Sequence, residues 1–174
     1  MDINDPFYYE IAKALNSTGT EYILVGGLAV AYYGFHRYTG DMDLWVKSTE
    51  SNMDKLYSAL ADVLRYDHAS IAAIKKTRPI ESPTPIRLFS DDEATYVDLM
   101  TNTFQKIFSW DECKQHSNEI KLKDIKFPVV HINHLIWMKE NTKRLDDSMQ
   151  DLVDAHELKK ILKLQAKGKS KGKG

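Results

Sequence analysis

The stretch from Tyr22 to Val46, Tyr-Ile-Leu-Val-Gly-Gly-Leu-Ala-Val-Ala-Tyr-Tyr-Gly-Phe-His-Arg-Tyr-Thr-Gly-Asp-Met-Asp-Leu-Trp-Val, constrains the fold more than any other part of the chain. Tyr22 to Val25 is a short apolar run ending in Gly26-Gly27, which predicts a buried strand entering a tight turn. Leu28 to Tyr33 has the composition of a short helix, with Gly34 as its stop. Asp41 and Asp43 then open a second apolar run through Leu44, Trp45 and Val46. On a strand, residues two apart point to one face, so both carboxylates project together. They do so beside a glycine turn whose backbone N–H groups can approach a ligand closely.

Each of two adjacent carboxylates disfavours ionisation of the other unless something compensates. A hard divalent cation is one remedy, since Mg²⁺ is held by one or two carboxylates plus substrate phosphates. A polar strand end with two solvated aspartates is the bland alternative, and Asp-x-Asp alone does not decide between them. A third carboxylate comes from further along. Ile86–Phe89 and 94–100 read as two strands around a polar turn, and the second carries Asp98 among Tyr96, Val97, Leu99 and Met100. An aspartate inside an apolar strand is costly unless it is paired or binds metal. Asp91 and Asp92, in the turn, are solvated and poorer candidates.

The remaining elements frame this centre. Asp5 to Ser17 predicts a helix with Asp5 as N-cap and Pro6 at N1. Ser51 to Leu64 is the clearest amphipathic helix, with Met53, Leu56, Tyr57, Leu60, Val63 and Leu64 on the helical template. Residues 69–85 offer one helical turn at Ile71–Ile74. Lys75-Lys76-Thr77-Arg78-Pro79 then reads as a loop, either solvated or facing a phosphate. Trp110 to His116 predicts a short helix, Glu119–Leu122 and Lys126-Phe127 a hairpin around Lys123-Asp124, and Val129–Ile132 a further strand. Helices follow from Asn133 to about Asn141 and from Ser148 to Leu164. His131 and His134, three apart with no cysteine nearby, fall short of the four clustered ligands of a zinc site. Trp45, Trp110 and Trp137 suit core or rim packing.

With 174 residues the chain suits one compact domain over 1–164. No run approaches a membrane span, the N-terminus lacks a signal-peptide pattern, and Cys113 is the single cysteine, so cytoplasm is the expected compartment. The formal charge of −1 is uneven. Lys159 to Gly174 holds seven lysines and no acid, leaving 17 basic and 25 acidic residues before it, a formal −8. Such a body does not favour broad nucleic-acid binding. Residues 165–174 read as a disordered, low-complexity basic tail, solvated or able to hold RNA electrostatically.

Val25-Gly26-Gly27, a helix-length spacer and Asp41-Met42-Asp43-Leu44 together resemble the signature of the DNA polymerase beta-like nucleotidyltransferase superfamily. Arg37 to Val46 resembles its small bacterial branch, which includes minimal nucleotidyltransferases and the toxins of abortive-infection and toxin–antitoxin systems. Downstream, Lys139, Lys143-Arg144, Asp151 and Asp154 are similar to that branch, whereas Asp146 and Asp147 depart from its shorter, more basic link.

The resemblance implies an α+β, polymerase beta-like fold: a mixed sheet flanked by helices with a small helical C-terminal portion. It implies transfer of a nucleoside monophosphate from an NTP to an acceptor hydroxyl or phosphate, with release of pyrophosphate. Asp41 and Asp43 would hold two Mg²⁺ ions, with Asp98 on the catalytic one. Gly26 and Gly27 would meet the β- and γ-phosphates, and Arg37 and Lys139 would neutralise phosphate charge or, equally, form surface ion pairs. The acceptor class stays open among RNA, protein and small molecules. A toxin with a cognate antitoxin, and a non-catalytic nucleotide-binding module, are the other readings.

Overall fold

The computed structural model describes residues 5–64, 68–77, 84–90, 93, 95–101, 107–141 and 148–171. Thirteen elements follow in order: α1 (Pro6–Ser17), β1 (Tyr22–Val25), α2 (Gly26–Tyr32), β2 (Asp41–Val46), α3 (Glu50–Leu64), α4 (His68–Thr77), β3 (Ile86–Phe89), β4 (Tyr96–Met100), α5 (Trp110–Gln115), β5 (Asn118–Leu122), β6 (Ile125–Val129), α6 (Ile132–Glu140) and α7 (Ser148–Lys171). The fold is mixed α+β. One six-stranded sheet has the order β3-β4-β2-β1-β6-β5. β2 lies parallel to β4 and β1 parallel to β6, while the other three pairings are antiparallel.

Local chemistry accounts for the elements. The Asp5 carboxylate accepts the Phe7 N–H at 2.9 Å and Pro6 opens α1, as an N-cap and N1 pair should. β1 is buried along its whole length. α1 packs on α3 and β6, and α6 on α7 and α2. Tyr8, Ile11, Leu15, Leu24, Leu44, Trp45, Leu56 and Phe127 sit in one continuous core. Trp110 is buried too, its indole N–H donating to the Trp45 carbonyl at 3.1 Å.

The sheet corrects three local expectations. Lys75 and Lys76 lie in the last turn of α4, where cations favour the helix terminus. Lys75 pairs with Asp54 of α3, so this part of the basic cluster faces a neighbouring helix. There is no separate strand over 129–132: β6 runs through Pro128 to Val129, and Ile132 already opens α6. Pro128 is tolerated because β1 meets β6 at Leu24 and Val129 and through the Val130 N–H to the Leu24 carbonyl, none of which needs its missing N–H. α7 continues to Lys171, through much of the stretch read as a tail. Arg78, Asp91, Asp92, Lys143, Arg144, Asp146 and Asp147 lie outside the described residues.

Asn52 clamps the central hairpin from α3. Its side chain accepts the Glu21 N–H at 2.7 Å and donates to the Glu21 and Lys47 carbonyls at 3.0 and 2.9 Å, joining the start of β1 to the end of β2. Asn52 is 1% exposed, so water cannot replace these bonds. Asn52→Ala is expected to lower unfolding stability by about 2–4 kcal/mol in urea titrations, for several buried backbone groups left unmet. Asn52→Asp should cost at least as much, because it turns a donor toward two carbonyls into an anion.

Candidate active site

Two neighbouring strands, β2 and β4, bring the acidic residues to one face. Asp43 stands opposite Asp98 in the parallel β2–β4 register, and Asp41 opposite Tyr96. The period of two places Asp41 on the same face as Asp43 and Tyr96 on the same face as Asp98. In the antiparallel β3–β4 pair, Arg87 faces Asp98 and Phe89 faces Tyr96. One oxygen from each of Asp41, Asp43 and Asp98 lies within 4.8 Å of the others, and this is the sole group of three potential metal ligands among the described residues. Asp43 and Asp98 are buried and Asp41 is half-buried.

Glycine is required where β1 turns into α2. Gly26 has φ +66°, and a Cβ there would fall 1.8 Å from an Asp43 carboxylate oxygen. A Cβ on Gly27 would meet Thr39 Oγ1 at 2.4 Å. The paired glycines thus let the Asp43 carboxylate and the Arg37–Thr39 loop close against the start of α2. Thr39 Oγ1 donates to Asp41 at 2.9 Å and the Tyr96 hydroxyl to the other Asp41 oxygen at 3.3 Å, which fixes that carboxylate.

A cleft of about 240 Å³ opens here, between Gly27, Thr39, Asp41, Asp43 and Tyr96 on one side and Lys139, Gln150 and Asp151 of α6 and α7 on the other. Arg37 also lines it. Both expected cations are already paired. Arg37 grips Asp154 with Nε and Nη2, each at 2.7 Å. Lys139 Nζ lies 2.6 Å from Asp151 and 3.0 Å from Asp154. Asp154 is fully buried and also accepts a bond from Gln150 at 3.0 Å. Burial would push its carboxyl up, but the Arg37 fork, Gln150 and Lys139 outweigh that and hold it below the usual carboxylate range. Burial likewise opposes the Arg37 charge, and the Asp154 bonds prevail to raise that guanidinium.

Residue order hides several of these contacts. Arg87 was not among the expected site residues, yet its Nε and Nη2 each lie 2.7 Å from an Asp98 oxygen. Tyr96 and Thr39 were missed as well. The alternation of Arg87 with Asp98 across a predicted hairpin was the signal available for the first. His131 and His134 have ring centroids 6.1 Å apart, and His131 Nδ1 accepts the Asn133 N–H as the cap of α6.

Asp154 generates a stability prediction with a defined sign. Its folded pKa lies below the unfolded value of about 3.9, so its contribution is complete above that value and is lost as pH falls through the folded pKa. Urea midpoints measured from pH 6 down to 3 should fall for the wild type and fall less for Asp154→Asn. Asp154→Ala, which strands the half-buried Arg37 guanidinium and leaves Lys139 with Asp151, should cost about 3 kcal/mol at pH 7. Gly26→Ala, which sets a Cβ 1.8 Å from an Asp43 oxygen at φ +66°, should displace that carboxylate and lower the urea midpoint relative to Gly40→Ala, where a Cβ meets nothing within 4 Å.

Comparison with known proteins adds a family. The model of a family described as "Nucleotidyl transferase of unknown function" (DUF2204) matches residues 5–170. Among solved structures, lincosamide antibiotic adenylyltransferase LnuA bound to lincomycin is 14% identical, with a TM-score of 0.48 over 88% of this chain and 97% of that one. An antigenic nucleotidyltransferase-like protein from Paracoccidioides brasiliensis is 15% identical, with a TM-score of 0.47 over 85% of this chain and 71% of that one. No curated protein matches. No helix among the described residues is long and apolar enough to cross a membrane. A sheet that converges three aspartates beside a glycine turn, and a family match over nearly the whole chain, make this protein a member of that nucleotidyl transferase family.

Proposed function

We propose that the protein transfers a nucleoside monophosphate from a magnesium-bound NTP to an acceptor hydroxyl or phosphate and releases pyrophosphate. The observation that carries this reading is the convergence of Asp41, Asp43 and Asp98 within 4.8 Å on one sheet face. Three hard oxygen ligands on rigid strands suit Mg²⁺, and the space that a Cβ at Gly26 would fill is kept for the Asp43 carboxylate. Bound there, two Mg²⁺ ions would supply neutralisation of the attacking and leaving oxygens of an in-line displacement.

The chain's own groups divide the remaining work. Asp41 and Asp43 would hold the metal, with Asp41 oriented by Thr39 and Tyr96. Asp98 completes the set and takes the proton of the acceptor hydroxyl as its oxygen bonds to the α-phosphorus and the α–β bridging P–O bond breaks. Gly26 and Gly27 offer backbone N–H groups to the β- and γ-phosphates. Lys139 and Arg37, held by Asp151 and Asp154, bring positive charge to the same cleft. The formal −8 of residues 1–158 favours a small-molecule or protein acceptor over a nucleic-acid polymer.

Calorimetric titration of each NTP with Mg²⁺ tests the reading without knowledge of the acceptor. One NTP should bind in a magnesium-dependent way, and Asp41→Ala/Asp43→Ala should abolish that dependence while the fold persists. Binding that ignores both magnesium and the double substitution would sink the proposal. With an acceptor in hand, Asp43→Asn should slow transfer by at least roughly 100-fold, the scale for losing one charge-stabilising group at a reaction centre.

A further inference from the structure

Arg87 touches the aspartate triad itself. It projects from β3, the edge strand of the sheet, and engages both Asp98 oxygens at 2.7 Å. Its guanidinium also lies over the Tyr96 ring, 4.3 Å from the centroid. The Asp98 side chain is 7% exposed whereas that of Arg87 is 45% exposed, so the arginine has open space to turn into and the aspartate does not. Across the sheet the order β1, β2, β4, β3 sets Gly26-Gly27 on one side of the triad and Arg87 on the other.

A metal ion and this fork compete for the same carboxylate. Mg²⁺ needs ligand oxygens at about 2.0–2.1 Å in near-octahedral geometry. Either Asp98 oxygen it could take already accepts a guanidinium N–H, and a dication there would stand against a fixed positive charge. A carboxylate does have lone pairs enough to serve both, so the alternative is an Arg87 that stays in place and shares.

We propose that Arg87 is a displaceable positioning residue: it holds Asp98 in register while the metal site is empty and releases at least one arm when a divalent cation takes that carboxylate. The inference rests on the metal-dependent reading above. It makes Arg87 a brake on metal affinity and places a freed positive charge on the side of the triad away from Gly26-Gly27 once metal is bound. A purely structural ion pair would do neither.

The test uses the full chain with Mg²⁺ alone. The sequence holds five arginines, so side-chain Nε–H signals of a nitrogen-labelled sample are few, and Arg87→Lys assigns the one of interest. Titration with Mg²⁺ should move the Arg87 Nε–H signal at the same concentrations that release heat in calorimetry. Arg87→Gln, which removes the competing charge, should bind Mg²⁺ roughly 2–5-fold more tightly, in line with a partly exposed ion pair. Arg87→Lys, a point charge without the fork, should fall between the two. Metal binding with an unmoved Arg87 signal and no tightening in Arg87→Gln would overturn the inference and leave the metal-dependent reading intact. A weaker metal site in a folded Arg87→Gln would overturn it as well, by showing that Arg87 only organises Asp98. No Mg²⁺ binding to either protein would overturn both.

Discussion

The crowding of carboxylates on a single sheet face is the constraint on which the rest of the site depends. Asp41, Asp43 and Asp98 are held close by strand register, so their mutual repulsion cannot relax by side-chain movement alone. Each is met by a specific neighbour. Thr39 and Tyr96 donate to Asp41, the Arg87 fork takes Asp98, and Asp43 lies against the glycine turn. Gly26 and Gly27 therefore act first on the protein itself: they permit the close approach of a carboxylate and a threonine that any side chain would block. Whatever ligand the turn meets, it meets a geometry that these contacts have already set.

A second constraint comes from α7. Asp154 has no exposure and gathers Arg37 from the loop before β2, Lys139 from α6 and Gln150 from its own helix. A buried carboxylate with this many charged partners fixes geometry more than it adds stability, since desolvation offsets much of the Coulombic gain. The C-terminal helices are thereby tied to the cleft wall opposite the aspartates. That link explains how a segment more than a hundred residues away in sequence can shape a site formed by β2 and β4.

Much of this was legible in residue order where periodicity is strong. Asp41, Asp43 and Asp98 announce themselves because charge inside an apolar, period-two run demands compensation, and the cap of α1 is written in Asp5-Pro6. Pro128 divided what is one strand, since a proline signals a break unless the neighbouring strand leaves its nitrogen unused, and that depends on pairing. Lys75 and Lys76 resembled a loop because their partner Asp54 lies on another helix. Arg37 and Asp154 are 117 positions apart, and nothing local in either neighbourhood names the other. Contacts set by tertiary approach are invisible to local pattern, and the Arg37–Asp154 pair belongs to that class.

Charge balance ties the two constraints together. Among the described residues, five carboxylates, from Asp41, Asp43, Asp98, Asp151 and Asp154, face three cations, from Arg37, Arg87 and Lys139, for a formal −2. Under the metal-dependent reading, one divalent cation brings this set to neutrality and a second carries it to +2. Two dications side by side are then unfavourable without further anionic charge in the cleft, and a triphosphate supplies it.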